Sequence, residues 1–238
     1  MKSMIFAIAV SLFASASEIS VASAQETQIY RYTKAGFASV NSYVVETANG
    51  LVLVDSQRVL SQGRAVSDKI KAIGKPLLAV LLTHPHPDHF GGLAAILEAY
   101  PDTPVYASVG TSEEMRTDGN GFMKATREVV PDDSPMVFPL PTRIFKDGET
   151  LIFDGVDFVV DEIGMGESKS MTAFYLPAYN ALFVGDVVAY KMTGFLLEGR
   201  IRDWTEQVRR ISADYSDRYP RVYPGHGEAG EHRNPWGA

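Results

Sequence analysis

Apolar and β-branched residues of this chain occur in short runs bounded by turn residues, which is the pattern of buried β-strands. Six such runs predict strands at residues 39–46, 50–55, 77–83, 156–161, 172–176 and 181–185. Apolar residues at helical spacing predict helices at residues 61–73, 92–100 and 203–215. Strand pairs and helices alternate along the chain, which indicates an α/β fold.

One polar region, residues 111–135, interrupts this pattern and contains the turn cluster Asp-Gly-Asn-Gly at residues 118–121. We predict that this region is irregular and forms a flap on the substrate side of a site. The chain shows no internal repeat, low-complexity tract or linker that would divide it. We therefore expect a single domain from residue 25 to residue 238.

The N-terminus carries Lys2, then an apolar run at residues 4–14 and then small residues. This is the pattern of a secretory signal peptide. We predict that residues 1–24 are removed before Gln25, with Ala16 as the alternative cleavage position, and that the protein is secreted to the periplasm. The apolar run is shorter than the roughly 20 residues that span a bilayer, so no membrane span is expected.

Composition narrows the chemistry that is available. The chain has no cysteine, which excludes disulfides and thiolate metal ligands, so any metal must bind nitrogen and oxygen. The formal net charge of −7 comes with no basic patch, which argues against nucleic acid as a partner. A small-molecule substrate is the expected partner.

Residues 84–89, directly after a predicted strand, read His-Pro-His-Pro-Asp-His and hold three of the five histidines of the chain. Alternate residues of an extended chain share one face, so His84, His86 and Asp88 project together if the segment is extended. Each proline pushes the residue before it out of the helical region, which favours that geometry. A polar loop with unrelated histidines does not explain this concentration, and we predict a metal site.

A helix is expected to begin around Asp88 and to turn His89 away from the first two histidines, where Asp88 and His89 can reach a second ion. Gly91 and Gly92 follow. We expect them to let this helix pass close to the loop that precedes it, because glycine has no side chain.

This segment, HxHxDH followed by two glycines, resembles the signature of the metallo-β-lactamase superfamily. Three further motifs occur in the family's order: Asp55 at a strand end, the segment Val-Gly-Asp at residues 184–186, and the segment Pro-Gly-His at residues 224–226. The resemblance implies an αββα sandwich, in which two mixed sheets pack face to face with helices outside.

The resemblance also implies a ligand set. His84 and His86 would hold a first metal ion, a second ion would be held by Asp88, His89 and His226, and Asp186 would bridge the two. Nitrogen and oxygen ligands suit two zinc ions, and manganese or iron are possible substitutes. A water between the ions ionises near neutral pH and becomes the nucleophile, which Asp88 would orient as the catalytic residue.

One position departs from the family. The third ligand of the first metal is usually the histidine of a Gly-x-Gly-His segment, and residues 164–167 read Gly-Met-Gly-Glu. Glu167 is a reasonable ligand, because some branches of the superfamily, the alkylsulfatases among them, look similar in using a Glu near this point. The alternative is a surface glutamate paired with Lys169. Three carboxylates and a hydroxide would neutralise two divalent ions, so we expect a weaker Lewis acid that attracts anions poorly and tolerates manganese or iron.

The residue at position 186 separates subfamilies. Family members that act on β-lactams typically carry Cys or Ser there, whereas esterases, lactonases and thioesterases carry Asp. We therefore predict a secreted hydrolase of a small ester, lactone or related acyl or sulfate ester. An exported acidic protein without a basic anchor fits a glutathione thioesterase poorly.

Three alternatives stay open: a β-lactam hydrolase, a mononuclear iron enzyme that oxidises sulfur compounds, and a non-catalytic metal-binding protein. We expect specificity to come from a rim formed by Phe37, residues 111–135 and residues 190–197. The apolar run Phe-Leu-Leu at residues 195–197 could belong either to the core or to the pocket wall.

Overall fold

The computed structural model describes residues 28–34 and 39–228. The predicted signal peptide and Phe37 lie outside these residues. The strands are β1 (Ile29–Thr33), β2 (Asn41–Glu46), β3 (Leu51–Val54), β4 (Leu77–Leu81), β5 (Val105–Ala107), β6 (Arg143–Ile144), β7 (Thr150–Phe153), β8 (Val156–Gly164), β9 (Met171–Leu176), β10 (Ala181–Ala189) and β11 (Arg221–His226). The α-helices are α1 (Leu60–Ile73), α2 (Pro87–Phe90), α3 (Leu93–Ala99), α4 (Val109–Thr117), α5 (Phe122–Val129) and α6 (Ile201–Asp214).

The strands form two mixed sheets. The first sheet has the order β1-β2-β3-β4-β5-β6. Its β1–β2 and β2–β3 pairs are antiparallel, and the pairs from β3 to β6 are parallel. The second has the order β11-β10-β9-β8-β7, in which only the β10–β11 pair is parallel. The parallel pairs bring strand ends, and the loops after them, to a shared edge.

Side chains that alternate along the strands build three apolar interfaces between layers of secondary structure. In β3, Val52 and Val54 face the second sheet, whereas Leu51 and Leu53 pack under α1 and α3. In β10, Phe183 faces the first sheet while its neighbours pack against α6. Both faces of these strands are buried, and each large apolar side chain removed from water contributes about 1.5–3 kcal/mol. Three apolar interfaces make four layers, so the predicted αββα sandwich is confirmed.

The six predicted strands and three predicted helices all form, with shifted ends. Strand β8 continues past its apolar run to Gly164, and β10 continues through Asp186 and a second apolar stretch to Ala189, so both are longer than predicted. Strands β1, β5, β6, β7 and β11 were not predicted. Several of these are short or carry exposed residues, and their pairing depends on a neighbouring strand.

The prediction that residues 111–135 are irregular is wrong, because most of this region is helical. Ser108 caps α4 by accepting the amide N–H of Thr111. Asp118 ends α4 with a positive φ of 49° and accepts the N–H groups of two residues of α5. One methionine from each helix, Met115 and Met123, joins the core. The turn cluster at residues 118–121 therefore separates two capped helices. No helix within the described residues has the length and apolarity that crossing a membrane requires.

Candidate metal centre

The predicted donors all come from the ends of strands or from loops that follow them. His84 follows β4, Glu167 follows β8, Asp186 lies in β10, and His226 ends β11. These strands belong to both sheets, so the donors meet at one edge of the sandwich. The structure brings together all seven residues predicted as ligands. Which of them bind metal stays a prediction.

The first half-site is defined as His84, His86 and Glu167. The Nε2 atom of His84 lies 3.8 Å from Oε2 of Glu167, and Nδ1 of His86 lies 3.2 Å from Oε1. Glu167 is 2% exposed. Lys169 instead pairs with Glu114 at 2.8 Å. The alternative of a surface glutamate paired with Lys169 is therefore wrong.

The second half-site is defined as Asp88, His89 and His226. The Nε2 atoms of His226 and His89 lie 3.3 Å and 4.0 Å from Oδ2 of Asp88. Asp186 lies between the half-sites: its Oδ2 is 3.8 Å from Nε2 of His84 and 3.1 Å from Nε2 of His226. Its Oδ1 is 3.2 Å from Nε2 of His89. One carboxylate thus faces donors of both half-sites.

The prolines determine the backbone conformation between the two half-sites. His86 is extended, with φ −85° and ψ 134°, and Pro87 is the first residue of α2. The helix thus begins one residue before the predicted position. It carries Asp88 and His89 toward the second half-site, as the sequence predicts.

Two close approaches require glycine. A Cβ atom on Gly92 would overlap the carbonyl oxygen of Ser56 and approach Gly63 of α1. Gly91 makes the expected approach to the preceding loop, at the carbonyl oxygen of Pro87, and the two glycines also approach the segment after β3 and α1. A Cβ atom on Gly225 would overlap Oδ1 of Asp186, so the absence of a side chain there lets His226 approach the shared carboxylate.

The imidazole rings are oriented by contacts on the side away from the donor cluster. Asp55 lies 2.8 Å from Nδ1 of His89 and accepts the backbone N–H and the hydroxyl of Thr83. The Thr83 hydroxyl also contacts Nδ1 of His84 at 2.9 Å, and Nδ1 of His226 contacts the carbonyl oxygen of Ser39. Because Nδ1 of His84, His89 and His226 is engaged in this way, Nε2 of these three rings is left to face the cluster.

Burial and neighbouring charges set the pKa values of the cluster. Burial raises the pKa of Glu167 to about 7 despite its contact with His86. Burial lowers the pKa of His84 well below its ordinary value. For His86, burial acts to lower the pKa, but Glu167 and the neighbouring Glu198 outweigh it and raise the pKa to about 10. For Asp186, burial acts to raise the pKa, but the nearby histidines outweigh it and hold the pKa well below its ordinary range.

The donor set fits metal ions. Within the described residues, several buried side-chain atoms have no hydrogen-bond partner: Nε2 of His84, Nε2 of His89, both carboxylate oxygens of Glu167, and Oδ1 of Asp186. A buried polar group without a partner costs about 1–3 kcal/mol, and more if charged. These atoms belong to the two groups of possible metal donors, in which the ligand atoms lie within 4.8 Å of one another. Divalent ions bound to these atoms would offset that cost.

Sequence reasoning missed Glu198 and Arg200, which lie beside the first half-site, and Arg58, which contacts Asp88. Glu198 contacts Nε2 of His86 at 2.9 Å, and Arg200 pairs with Glu198 at 3.0 Å. The predicted rim ended at residue 197, one position before this glutamate. The signal that could have found it is a carboxylate directly after the apolar run Phe-Leu-Leu.

The rim contributes aromatic residues. Phe122 of α5 and Phe195 both contact the ring of His86 edge-on, with centroids 5.4 Å and 5.2 Å away. Leu196 and Leu197 are exposed, so the run at residues 195–197 is not part of the core. The described rim residues therefore place apolar surface beside the first half-site.

Comparison with known proteins identifies the same family as the sequence motifs. The family model of the metallo-beta-lactamase superfamily matches residues 35–226. Metallo-beta-lactamase IND-1 of Chryseobacterium indologenes is 30% identical over 194 residues, which is 80% of this chain and 72% of that protein. The hydroxyacylglutathione hydrolase of Edwardsiella ictaluri is 32% identical over 133 residues, which is 56% of this chain and only 42% of that enzyme.

Solved structures agree with these matches. Metallo-beta-lactamase IND-7 superposes with a TM-score of 0.68 at 27% identity, covering 86% of this chain and 88% of that one. TTHA1623, solved in a di-iron-bound form, superposes with a TM-score of 0.65 at 28% identity, covering 85% of this chain and 94% of that one. The predicted family and the predicted enzyme class are thereby confirmed: the chain belongs to the metallo-β-lactamase superfamily, a family of metal-dependent hydrolases.

Proposed function

We propose that this protein is a dinuclear metal-dependent hydrolase that cleaves a small ester or lactone, or a related acyl or sulfate ester. The observation that carries the proposal is the position of Asp186, whose two oxygens face histidines of both half-sites. A carboxylate shared in this way can hold two ions about 3.5–4 Å apart.

In this proposal the first half-site binds one ion and the second half-site binds the other. Two zinc ions would supply Lewis acidity and a water that ionises near neutral pH. Asp88 contacts His226 and, at 3.4 Å, Arg58, and its side chain is 15% exposed. This partial exposure leaves Asp88 able to orient an incoming group as well as to bind.

Charge favours an uncharged substrate. Two divalent ions, the carboxylates of Asp88, Glu167 and Asp186, and one hydroxide sum to zero. The described cations that contact the donor residues or Glu198 are Arg58 and Arg200, and each already pairs with a carboxylate. An anion would gain little there, so neutral esters and lactones are favoured over sulfate esters. The aromatic rings beside His86 suit an apolar acyl group.

The relatives leave two other reactions to be tested. The likeness to a metallo-beta-lactamase supports trials of β-lactams, and the likeness to a hydroxyacylglutathione hydrolase supports trials of thioesters. A di-iron form of a similar structure supports trials of iron alongside zinc. Export to the periplasm is part of the proposal and rests on the N-terminal pattern. An N-terminus at Gln25 in protein recovered from the periplasm would support it.

The test joins metal analysis with a substrate panel. Purified protein is expected to hold two zinc ions per chain and to hydrolyse neutral lactones or aryl esters faster than β-lactams, thioesters, sulfate esters or phosphodiesters. One iron per chain with consumption of oxygen and a thiol would indicate dioxygenase chemistry instead. Retained metal without turnover of any ester, lactone or lactam would indicate a binding protein and contradict the proposal.

A further inference from the structure

His86 differs from the other histidines of the site in the way its ring is held. Its Nδ1 atom faces Glu167, whereas His84, His89 and His226 face the cluster with Nε2. The outer nitrogen of His86 is therefore Nε2, and its partner is a carboxylate oxygen of Glu198 at 2.9 Å. A metal-binding histidine depends on such an outer partner, which fixes the tautomer and the ring orientation.

Glu198 is held in place from several directions. A hydrogen bond from the N–H of Gly199 to the carbonyl of Leu196 closes a turn around it. Arg200 donates to its second oxygen at 3.0 Å. Its side chain is only 4% exposed, although the turn lies on the surface. A buried carboxylate fixed in this way has little freedom to leave His86.

Glu198 also connects the two described parts of the rim. Asn120, in the turn between α4 and α5, donates its side-chain amide to the same oxygen that faces His86, at 3.1 Å. Phe122 of the first part and Phe195 of the second pack edge-on against the His86 ring and against each other. The contact between Glu198 and His86 is thus shielded from water, which strengthens a charge-assisted hydrogen bond.

We propose that Glu198 is a positioning residue for the first half-site: it accepts the Nε2–H of His86 and thereby fixes Nδ1 toward Glu167. This inference rests on the proposed function, because it assumes that the first half-site binds a metal ion. Glu198 lies against the outer nitrogen of the ring, so it acts through His86 and is not itself a ligand.

The test compares Glu198→Ala and Glu198→Gln with two controls. Asn120→Ala removes the rim connection but keeps the contact with His86. Glu113→Gln removes an exposed carboxylate that pairs with Arg116 on the surface of α4. Zinc affinity is measured by chelator competition. The ¹⁵N resonances of the histidine rings report the protonated nitrogen of His86 and the filling of each half-site.

Glu198→Ala is expected to weaken zinc binding at the first half-site by about 10–100-fold, the usual cost of losing an outer partner, while the second half-site is unchanged. Glu198→Gln is expected to restore part of the loss, because its amide oxygen still accepts a hydrogen bond. Both controls are expected to bind zinc as the unmodified protein does.

Wild-type zinc affinity and an unchanged His86 tautomer in Glu198→Ala would overturn the inference. An equal loss in Asn120→Ala would also overturn it, because Glu198 would then act only as a connection across the rim. If the unmodified protein bound no metal, the proposed function itself would fail, and this result is distinguishable from the other two.

Discussion

The two half-sites share Asp186 but are built differently. In the second half-site, His89 and His226 are oriented by Asp55, which follows β3, and by the backbone of Ser39, and both contacts lie close to the first sheet. In the first, Thr83, which follows β4, orients His84, whereas Glu198 in a surface turn orients His86. The difference indicates that the second half-site is part of the scaffold, whereas the first depends in part on a surface loop.

Burial also differs between the carboxylates of the two half-sites, although each half-site contains a fully buried histidine. The side chains of His84 and Glu167 are fully buried, whereas those of Asp88 and His226 are 15% and 12% exposed. Glu167 of the first half-site is thus the least solvated carboxylate, and it is also the residue that departs from the family pattern. We expect the properties specific to this protein to arise there.

The strongest test of the comparison is Asp186→Asn, which affects both half-sites. Removing its charge takes an anionic donor from each cluster, so we expect metal content to fall from two ions to one or none. Activity is expected to fall by more than the roughly 10–100-fold that follows loss of an outer partner. Elemental analysis and hydrolysis rates measure both effects, with the exposed Asp157→Asn as the matched control. Two retained ions would contradict a bridging role.

Glu167→His tests the first half-site alone. The substitution raises the net charge of the loaded site by one unit, and a unit charge about 4 Å away is worth ~4 kcal/mol at an effective dielectric of 20. One pKa unit corresponds to about 1.4 kcal/mol. The pH at which activity rises is therefore expected to fall by about one unit or more. A pH profile and a metal content that both match the unmodified enzyme would remove Glu167 from the site.

Metal removal is expected to reverse the pH dependence of stability. Without metal, the pKa of Glu167 is raised from 4.5 to about 7, so its contribution to stability is present below pH 4.5 and lost as the pH rises to 7. The raised pKa values of His86 and His226 extend this loss from pH 6.5 to about 10. Metal binding needs deprotonated ligands, so zinc is expected to stabilise the protein more as the pH rises.

Thermal melts of metal-free and zinc-loaded protein from pH 4.5 to 9 measure this dependence. Glu167→Gln serves as the control and is expected to lose the part of the decline between pH 4.5 and 7. The lowered pKa of His84 acts in the opposite direction up to pH 6.5, so the effect of Glu167 is the difference between the two proteins. Identical pH dependence of the unmodified protein and Glu167→Gln between pH 4.5 and 7 would contradict the ionisation described for Glu167.

The sequence could predict the scaffolded parts of this molecule better than the loop-dependent parts. Strands buried on both faces, such as β3 and β10, read clearly as apolar runs. The ligand-type residues stand out because histidines and prolines alternate within six positions. The contact of Glu198 with His86 joins residues 112 positions apart, and helices α4 and α5 bury little more than two methionines. The long-range contact leaves no periodic signal, because tertiary packing decides it, and neither helix is long enough to extend such a signal beyond about two and a half turns.

Arg58→Gln is the mildest test, and it asks how much the second half-site depends on a partly exposed contact. Arg58 is 33% exposed and lies 3.4 Å from Asp88, and ion pairs of this kind contribute about 0–1 kcal/mol. Asp88 remains next to His226 and on α2, so we expect zinc affinity at the second half-site to change by no more than about fivefold, the equivalent of 1 kcal/mol. Chelator competition measures the zinc affinities of Arg58→Gln and Glu198→Ala in parallel, so the effects of losing the two outer contacts can be compared directly. A loss from Arg58→Gln that equals the loss from Glu198→Ala would show that both half-sites depend on their outer contacts alike, and the distinction between a scaffolded and a loop-dependent half-site would fail.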